Sequence, residues 1–253
     1  MSVPFLLPAA HMRRLHPFFP LSHGIPRVDD RRVISGIIYV IRHRLQWRDA
    51  LTDYGPYKTL YNRFVRWSRL GVFDRIFMAL VAEAGSPERL MVDSTHLKAH
   101  RTAARLLKKG LFPRCIGRTK GGLNSKLHAA CDGQGRPVVL LLTEGQASDH
   151  RGADIMLPHL PPARELIADR GYDSRSFRDA LLSKAIAPCI PSTCSRKTPI
   201  PHDALLYRQR YRIEIIFGRL KDWRRIAMRY DRCAHIFFSA ITLAATFTFW
   251  INR

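Results

Sequence analysis

The spacing of apolar residues changes once along this 253-residue chain, at Ala84-Gly85-Ser86-Pro87. Before that point apolar side chains recur every three or four residues, the interval of a helix that buries one face. After it they come in short unbroken runs bounded by glycine, proline and aspartate, the form of buried strands. The chain therefore divides into an all-α part, residues 1–86, and an α/β part, residues 87–253. In the first, Val33, Ile34, Ile37, Ile38, Val40 and Ile41 predict a helix over 31–44, with Asp29 and Asp30 as candidate N-caps. Past a turn region containing Gly55-Pro56, Leu60, Phe64, Val65 and Trp67 predict a second helix, interleaved with Arg63, Arg66 and Arg69. Gly71 separates a third, over 72–84. Three short helices with a basic, aromatic middle one suit a helix-turn-helix-like DNA reader. An accessory three-helix bundle has the same pattern, and spacing alone does not separate the two.

In the second part Arg89-Leu-Met-Val-Asp93 and Glu165-Leu-Ile-Ala-Asp169 are apolar strands that each run into an acid. Residues 124–131 and 137–143 are two further strands joined by Asp132-Gly133-Gln134-Gly135, a hairpin turn. Helices are expected over 152–160 and 174–185, and a last strand over 187–191. A meander followed by helix, strand, helix and strand predicts a mixed sheet flanked by helices. The apolar stretch 235–252 approaches the length of a membrane span, but its Ser239, Thr242, Thr246 and Thr248 favour a core helix. No membrane association is expected, and residues 1–10 lack the basic start of a secretion signal.

Charge narrows the partner. With 42 Lys and Arg against 20 Asp and Glu the formal net charge is +22, an excess that repels itself unless a polyanion neutralises it. Nucleic acid is the natural partner, because cations placed on phosphates release condensed counterions. Five cysteines without a paired short spacing fit a reduced, cytoplasmic protein, and Cys189 with Cys194 offers zinc only a loose beginning. A basic piece over 99–122, with Arg101, Arg105, Lys108, Lys109, Arg114, Arg118 and Lys120, reads as a phosphate-contacting loop.

The candidate chemistry starts from Asp93 and Asp169, which the strand pattern can bring to one sheet edge; each alone could equally cap the following turn. A third acid lies in the segment 207–221. There Tyr207, Arg210, Glu214 and Lys221 stand at offsets that place them within an arc of roughly 60° on an α-helix. This stripe is either a solvated face with an ordinary i, i+4 pair or a carboxylate set among cations and a phenol. Three hard-oxygen donors select Mg²⁺ or Mn²⁺, and two such ions could serve phosphoryl transfer.

The string Tyr207-x2-Arg210-x3-Glu214-x6-Lys221, with Val92-Asp93-Ser94-Thr95 and Ala168-Asp169-Arg170-Gly171-Tyr172-Asp173-Ser174, resembles the signature of DDE transposases of bacterial insertion sequences, in the branch numbered four and five. The likeness extends through Ile116-Gly-Arg-Thr-Lys-Gly-Gly122, Gly145-Gln-Ala-Ser-Asp149 and Leu220-Lys-Asp-Trp-Arg-Arg225. In the N-terminal part, Trp47-Arg-Asp49, Tyr54-Gly-Pro56 and Tyr61-Asn-Arg-Phe64 resemble that family's leader domain. The resemblance implies an RNase H-like catalytic fold with Asp93, Asp169 and Glu214 as metal-binding, catalytic triad, using two Mg²⁺ or Mn²⁺ ions. It implies cleavage of element ends and joining of the freed 3′-hydroxyl to target DNA. Tyr207, Arg210 and Lys221 would lie against DNA, as would the basic Lys120, Arg118, Arg63 and Arg66. The partners implied are terminal inverted repeats and target DNA, engaged by a homodimer associated with the nucleoid. A catalytically inactive repressor of the same element is the alternative. Arg44 and Leu51 stand where a glycine and a proline are usual in the family, and Tyr211 where histidine is common.

Overall fold

The computed structural model describes residues 4–21, 29–104 and 113–252; Arg105, Lys108 and Lys109 of the expected basic loop lie outside them. In chain order the elements are α1 (Ala9–Leu15), α2 (Asp30–His43), α3 (Tyr57–Arg69), α4 (Val72–Glu83), β1 (Arg89–Ala99), α5 (Arg101–Ala104), β2 (Gly117–Thr119), β3 (Gly122–Asp132) and β4 (Pro137–Glu144). They continue with α6 (Asp149–Met156), β5 (Glu165–Ala168), α7 (Arg175–Ser183), β6 (Ala187–Cys189), α8 (Ala204–Tyr207), α9 (Tyr211–Lys221), α10 (Arg224–Ala227) and α11 (Ala234–Ala245). Two compact units result, and they do not follow chain order. One comprises Met1–Leu80, Arg101–Pro113 and Leu220–Arg253, the other Val81–His100 and Arg114–Arg219. The last 34 residues, placed with the α/β part on sequence grounds, thus pack with the N-terminal helices.

That helical unit is organised by apolar stripes. Val33, Ile34, Ile37, Ile38, Val40 and Ile41 of α2 are all buried, each contributing roughly 1.5–3 kcal/mol relative to exposure. Asp29 caps the helix, its side chain accepting from the Arg31 amide at 2.9 Å. In α3, Leu60, Phe64 and Trp67 turn inward, and Phe19 stacks on Trp67 at 4.4 Å between centroids. The stretch expected as a core helix is one: α11 buries Phe237, Ala240, Ile241 and Ala244, and Thr242 donates to Asp74 on α4 at 2.9 Å. Among the described residues no helix is long and apolar enough to cross a membrane. Arg225 on α10 donates to the Leu45 carbonyl at 3.0 Å, lies over the Trp47 ring at 5.4 Å and pairs with Asp231 at 3.0 Å.

Arg44 closes α2 in the left-handed region at φ 60°, and Leu51 has φ −59°, within the proline range. A residue with a Cβ in the left-handed region costs about 1–2 kcal/mol. Arg44→Gly should therefore raise stability by about 1 kcal/mol, read as an upward shift of the thermal midpoint; an unchanged or lower midpoint would show that the arginine side chain contributes more than its backbone costs.

In the second unit the sheet has the order β2-β3-β1-β5-β6, with β4 also beside β3. β1, β3 and β4 form an antiparallel meander, and β5 and β6 add parallel to β1 and to each other. With helices against it, this mixed sheet is RNase H-like. Asp132 closes the β3–β4 turn by accepting from the Gln134 and Arg136 amides, both at 2.9 Å. Helix α6 comes so close to the sheet that a Cβ at Gly152 would stand 2.1 Å from the buried His128 ring, so only glycine fits there.

Candidate active site

The sequence predicts a strand ending at Asp93. In the structure β1 runs six residues further, to Ala99. What ends near Asp93 is its parallel partner: the β1–β5 ladder closes on Val92↔Ala168, while β1 stays paired to β3 through Lys98↔Asn124. Asp93 and Asp169 are thus the next residues on two neighbouring parallel strands, side by side where the ladder opens. β5 stops because Asp169 leaves the sheet and caps the turn Arg170–Tyr172, accepting from the Gly171 amide at 2.8 Å. The turn-capping role open to a lone aspartate is real here, and it coexists with placement beside Asp93.

Asp93 accepts from the Ser94 amide at 2.7 Å and from Arg210 Nη1 at 2.6 Å. Burial pushes its carboxyl above the ordinary aspartate range; the Ser94 amide and Arg210 oppose this, and the negative charge of Asp169 adds to it. The second nitrogen of the same guanidinium, Nη2, donates to Glu214 on the first turn of α9. Arg210 therefore spans two acids that lie 121 residues apart in the chain and belong to different elements.

The stripe 207–221 is not one α-helix. Tyr207 ends α8, Arg208–Arg210 form a 3-10 turn, and α9 begins at Tyr211. The backbone stays right-handed through this junction, so the segment is tightened rather than broken, and Arg210 and Glu214 still meet at i, i+4. Tyr207 packs edge-on against His202 at 5.4 Å. Lys221 is the last residue of α9, where burial lowers its amine below the ordinary lysine value. The exposed Arg118 and Lys120 lie on β2 and at the tip of its hairpin with β3. On α3, Arg66 is exposed, whereas Arg63 is mostly covered, 3.5 Å from Asp30 and over the Trp67 ring at 5.9 Å.

Among the described residues no group of three or more His, Cys, Asp or Glu side chains is gathered as a metal cradle. The donor set nevertheless fits a hard divalent cation. Asp93 and Asp169 follow the last rung of the β1–β5 ladder, near enough for the charge of Asp169 to act on Asp93, and Glu214 is linked to Asp93 through the Arg210 guanidinium.

Two polar clusters around these aspartates went unread as site features. Asp149, the last residue of Gly145-Gln-Ala-Ser-Asp149, lies on the opposite face of β1 from Asp93. It accepts from the Ser94 hydroxyl, is 2.9 Å from Lys126 Nζ, and has the Tyr172 hydroxyl at 3.5 Å. Burial alone would raise its carboxyl; hydrogen bonds from Ser94 and Lys126 hold it below the ordinary value. It ties the residue after Asp93 to the turn after Asp169. Asp173, four residues past Asp169, is wholly buried and accepts from Arg178 Nε at 2.8 Å, the Thr193 amide at 2.8 Å and Arg196 Nη2 at 2.7 Å. The local signal for both was an aspartate beside serine at a helix start, which reads as capping; their true partners come from distant segments.

The chain is similar to known proteins. Residues 84–249 match the family model described as "Transposase DDE domain", and residues 7–77 match "Putative transposase of IS4/5 family". A Brucella ovis protein named "Putative transposase for insertion sequence element IS6501" is 32% identical over 123 residues, covering 48% of this chain and 95% of that protein. A Burkholderia cepacia protein named "Putative transposase for insertion sequence element IS402" is 30% identical over 153 residues, covering 53% of this chain and 70% of the other. Among solved structures, piggyBac transposase in a synaptic complex with hairpin DNA superposes with a TM-score of 0.51 at 9% identity, over 93% of this chain and 68% of that one, a likeness of fold.

Proposed function

Since the chain belongs to the DDE-domain transposases of insertion sequences, we propose that it cleaves the ends of its element and joins the freed 3′-hydroxyl to target DNA, with Asp93, Asp169 and Glu214 as the catalytic carboxylates. The observation that carries this reading is the meeting of Asp93 and Asp169 where the β1–β5 ladder opens, with Glu214 tied to Asp93 through Arg210. These three acids would hold Mg²⁺ or Mn²⁺. Two such ions, when bound, would activate the attacking oxygen and stabilise the leaving one.

The chain's own contribution is positional and electrostatic. Asp169 is fixed by its cap on the Gly171 amide, and Asp93 by the Ser94 amide and its strand pair with Ala129 on β3. Tyr207, Arg210 and Lys221 then present a phenol and two cations along the segment that carries Glu214, suited to grip the phosphates flanking a scissile bond. Arg118 and Lys120 on the exposed hairpin would contact phosphates likewise; in the helical unit, exposed Arg66 with the more covered Arg63 would offer a basic surface of its own to terminal repeats or target. The charge of +22 and a DNA substrate support a place on the nucleoid in the cytoplasm, and a dimer would bring two element ends together.

A strand-transfer assay with a duplex carrying the element's terminal repeat, a supercoiled target and Mg²⁺ tests the proposal. Joined product is expected. Binding of the repeat without cleavage at any Mg²⁺ or Mn²⁺ concentration would make the protein a repressor of its element, and cut ends without joined product would make it a nuclease.

A further inference from the structure

We propose that Arg210 is an internal counter-ion that occupies the carboxylate site in DNA-free protein, and that a DNA phosphate draws it away, so that nucleic acid binds before the divalent cation. This rests on the assignment of Asp93 and Glu214 as metal ligands made above.

A guanidinium is planar, permanently charged and forked, and here its Nη1 is taken by Asp93 Oδ2 at 2.6 Å and its Nη2 by Glu214. A divalent ion shared by these acids would need the same oxygens. With the guanidinium between them the acids meet it on opposite nitrogens, and no three-carboxylate group is assembled among the described residues. Arg210 already supplies much of what a cation supplies there, one positive charge and directed contacts to each acid, so an arriving ion must displace it.

A phosphodiester can do the displacing. Phosphate accepts the same two-pronged hydrogen bond as a carboxylate, so Arg210 can exchange one anion for the other without losing a proton or its pairing. The side chain is placed for that exchange: it is 21% exposed and lies one turn past Tyr207. Once it turns to DNA, Asp93, Asp169 and Glu214 are left as three anions with no internal cation bridging Asp93 to Glu214, and a divalent ion becomes the favoured partner. Linkage requires the converse as well, that metal raise affinity for DNA by the same factor. The consequence is protective, since a metal-loaded nuclease centre would form only on DNA.

Mn²⁺ binding to the full chain, followed by the electron paramagnetic resonance signal of free Mn²⁺, tests this without turnover. In the absence of DNA, Arg210→Gln should bind Mn²⁺ about tenfold more tightly than wild type, a usual size for coupling between linked sites. A short duplex of the element end with an uncleavable bridging methylene phosphonate at the cut should raise wild-type affinity by a similar factor and the variant's by much less. Equal Mn²⁺ affinity of wild type and Arg210→Gln, or equal enhancement of both by DNA, would overturn the proposal. Asp93→Asn added to Arg210→Gln separates the two ideas. Loss of the gained affinity keeps the ion on Asp93, whereas unchanged affinity would place it elsewhere and overturn the ligand assignment together with the displacement built on it.

Discussion

Asp93→Asn, Asp169→Asn and Glu214→Gln should each lower cleavage of element-end DNA by on the order of 10³-fold or more while the protein stays folded and bound to DNA. Each change keeps the side-chain shape and removes one anionic oxygen from the proposed metal site. Asp93 is the most informative. Burial and the charge of Asp169 push its carboxyl up against the opposing Ser94 amide and Arg210, and the amide of Asn keeps an oxygen to accept from such a donor. Glu214 has a side chain 57% exposed, so its substitution leaves no buried group unpartnered. Single-turnover cleavage, circular dichroism and gel-shift binding read the three quantities separately. Activity within a few fold of wild type in any one variant removes that residue from the triad, and unfolding of Asp93→Asn would show the acid to be structural.

Asp173→Ala should cost about 3–5 kcal/mol of stability, the range for removing one partner of a buried ion pair. The carboxylate is fully buried and holds Arg178, itself 6% exposed, and Arg196. Truncation leaves the buried Arg178 guanidinium with the Ile190 carbonyl at 2.6 Å but without its carboxylate. Urea unfolding measures the loss, and a change below about 1 kcal/mol would show that this cluster does not hold the Asp169 turn to the loop after β6. The same group gives stability a definite pH dependence. Burial pushes the Asp173 carboxyl up, but hydrogen bonds from Arg196, the Thr193 amide and Arg178 outweigh it and hold the folded-state value well below the ordinary 3.8. A depressed value means the unfolded chain takes up the proton first. The contribution is complete above about pH 4 and drains away as pH falls further toward the folded-state value. Asp173→Asn should flatten the acid limb of a stability profile, and an unchanged limb would assign acid unfolding to other carboxylates.

Much of the fold was legible because burial leaves its period in the sequence. The expected helix over 31–44 is α2, Asp30–His43, and the expected strands 124–131 and 137–143 are β3 and β4 to within two residues. Short α1 went unread, since its Ala9-Ala10-His11-Met12 start buries little and only Leu15 is enclosed. The length of β1 was missed because beyond Asp93 its residues Ser94, Thr95 and His96 are polar, so the apolar run that marks a strand stops before the strand does. The continuous helix expected over 207–221 fails at Arg208–Arg210, where the spacing of the four side chains is the same for an α-helix and for one tightened by a 3-10 turn.

What the sequence by itself determined was the set of chemical parts and the rows they sit in: three acids, the cations around Glu214, the strand character before each aspartate and the charge that calls for a polyanion. These follow from local rules, since a side chain's type and its period are fixed within a few residues. Only the tertiary structure decided which parts meet. The ladder ending at Val92↔Ala168 sets Asp93 beside Asp169, Arg210 bridges Asp93 to Glu214, and Asp173 finds Arg196 across 23 residues. Such pairings depend on strand order and register, which no window of sequence contains, because they are selected by the burial of the whole sheet rather than by any residue's own preference.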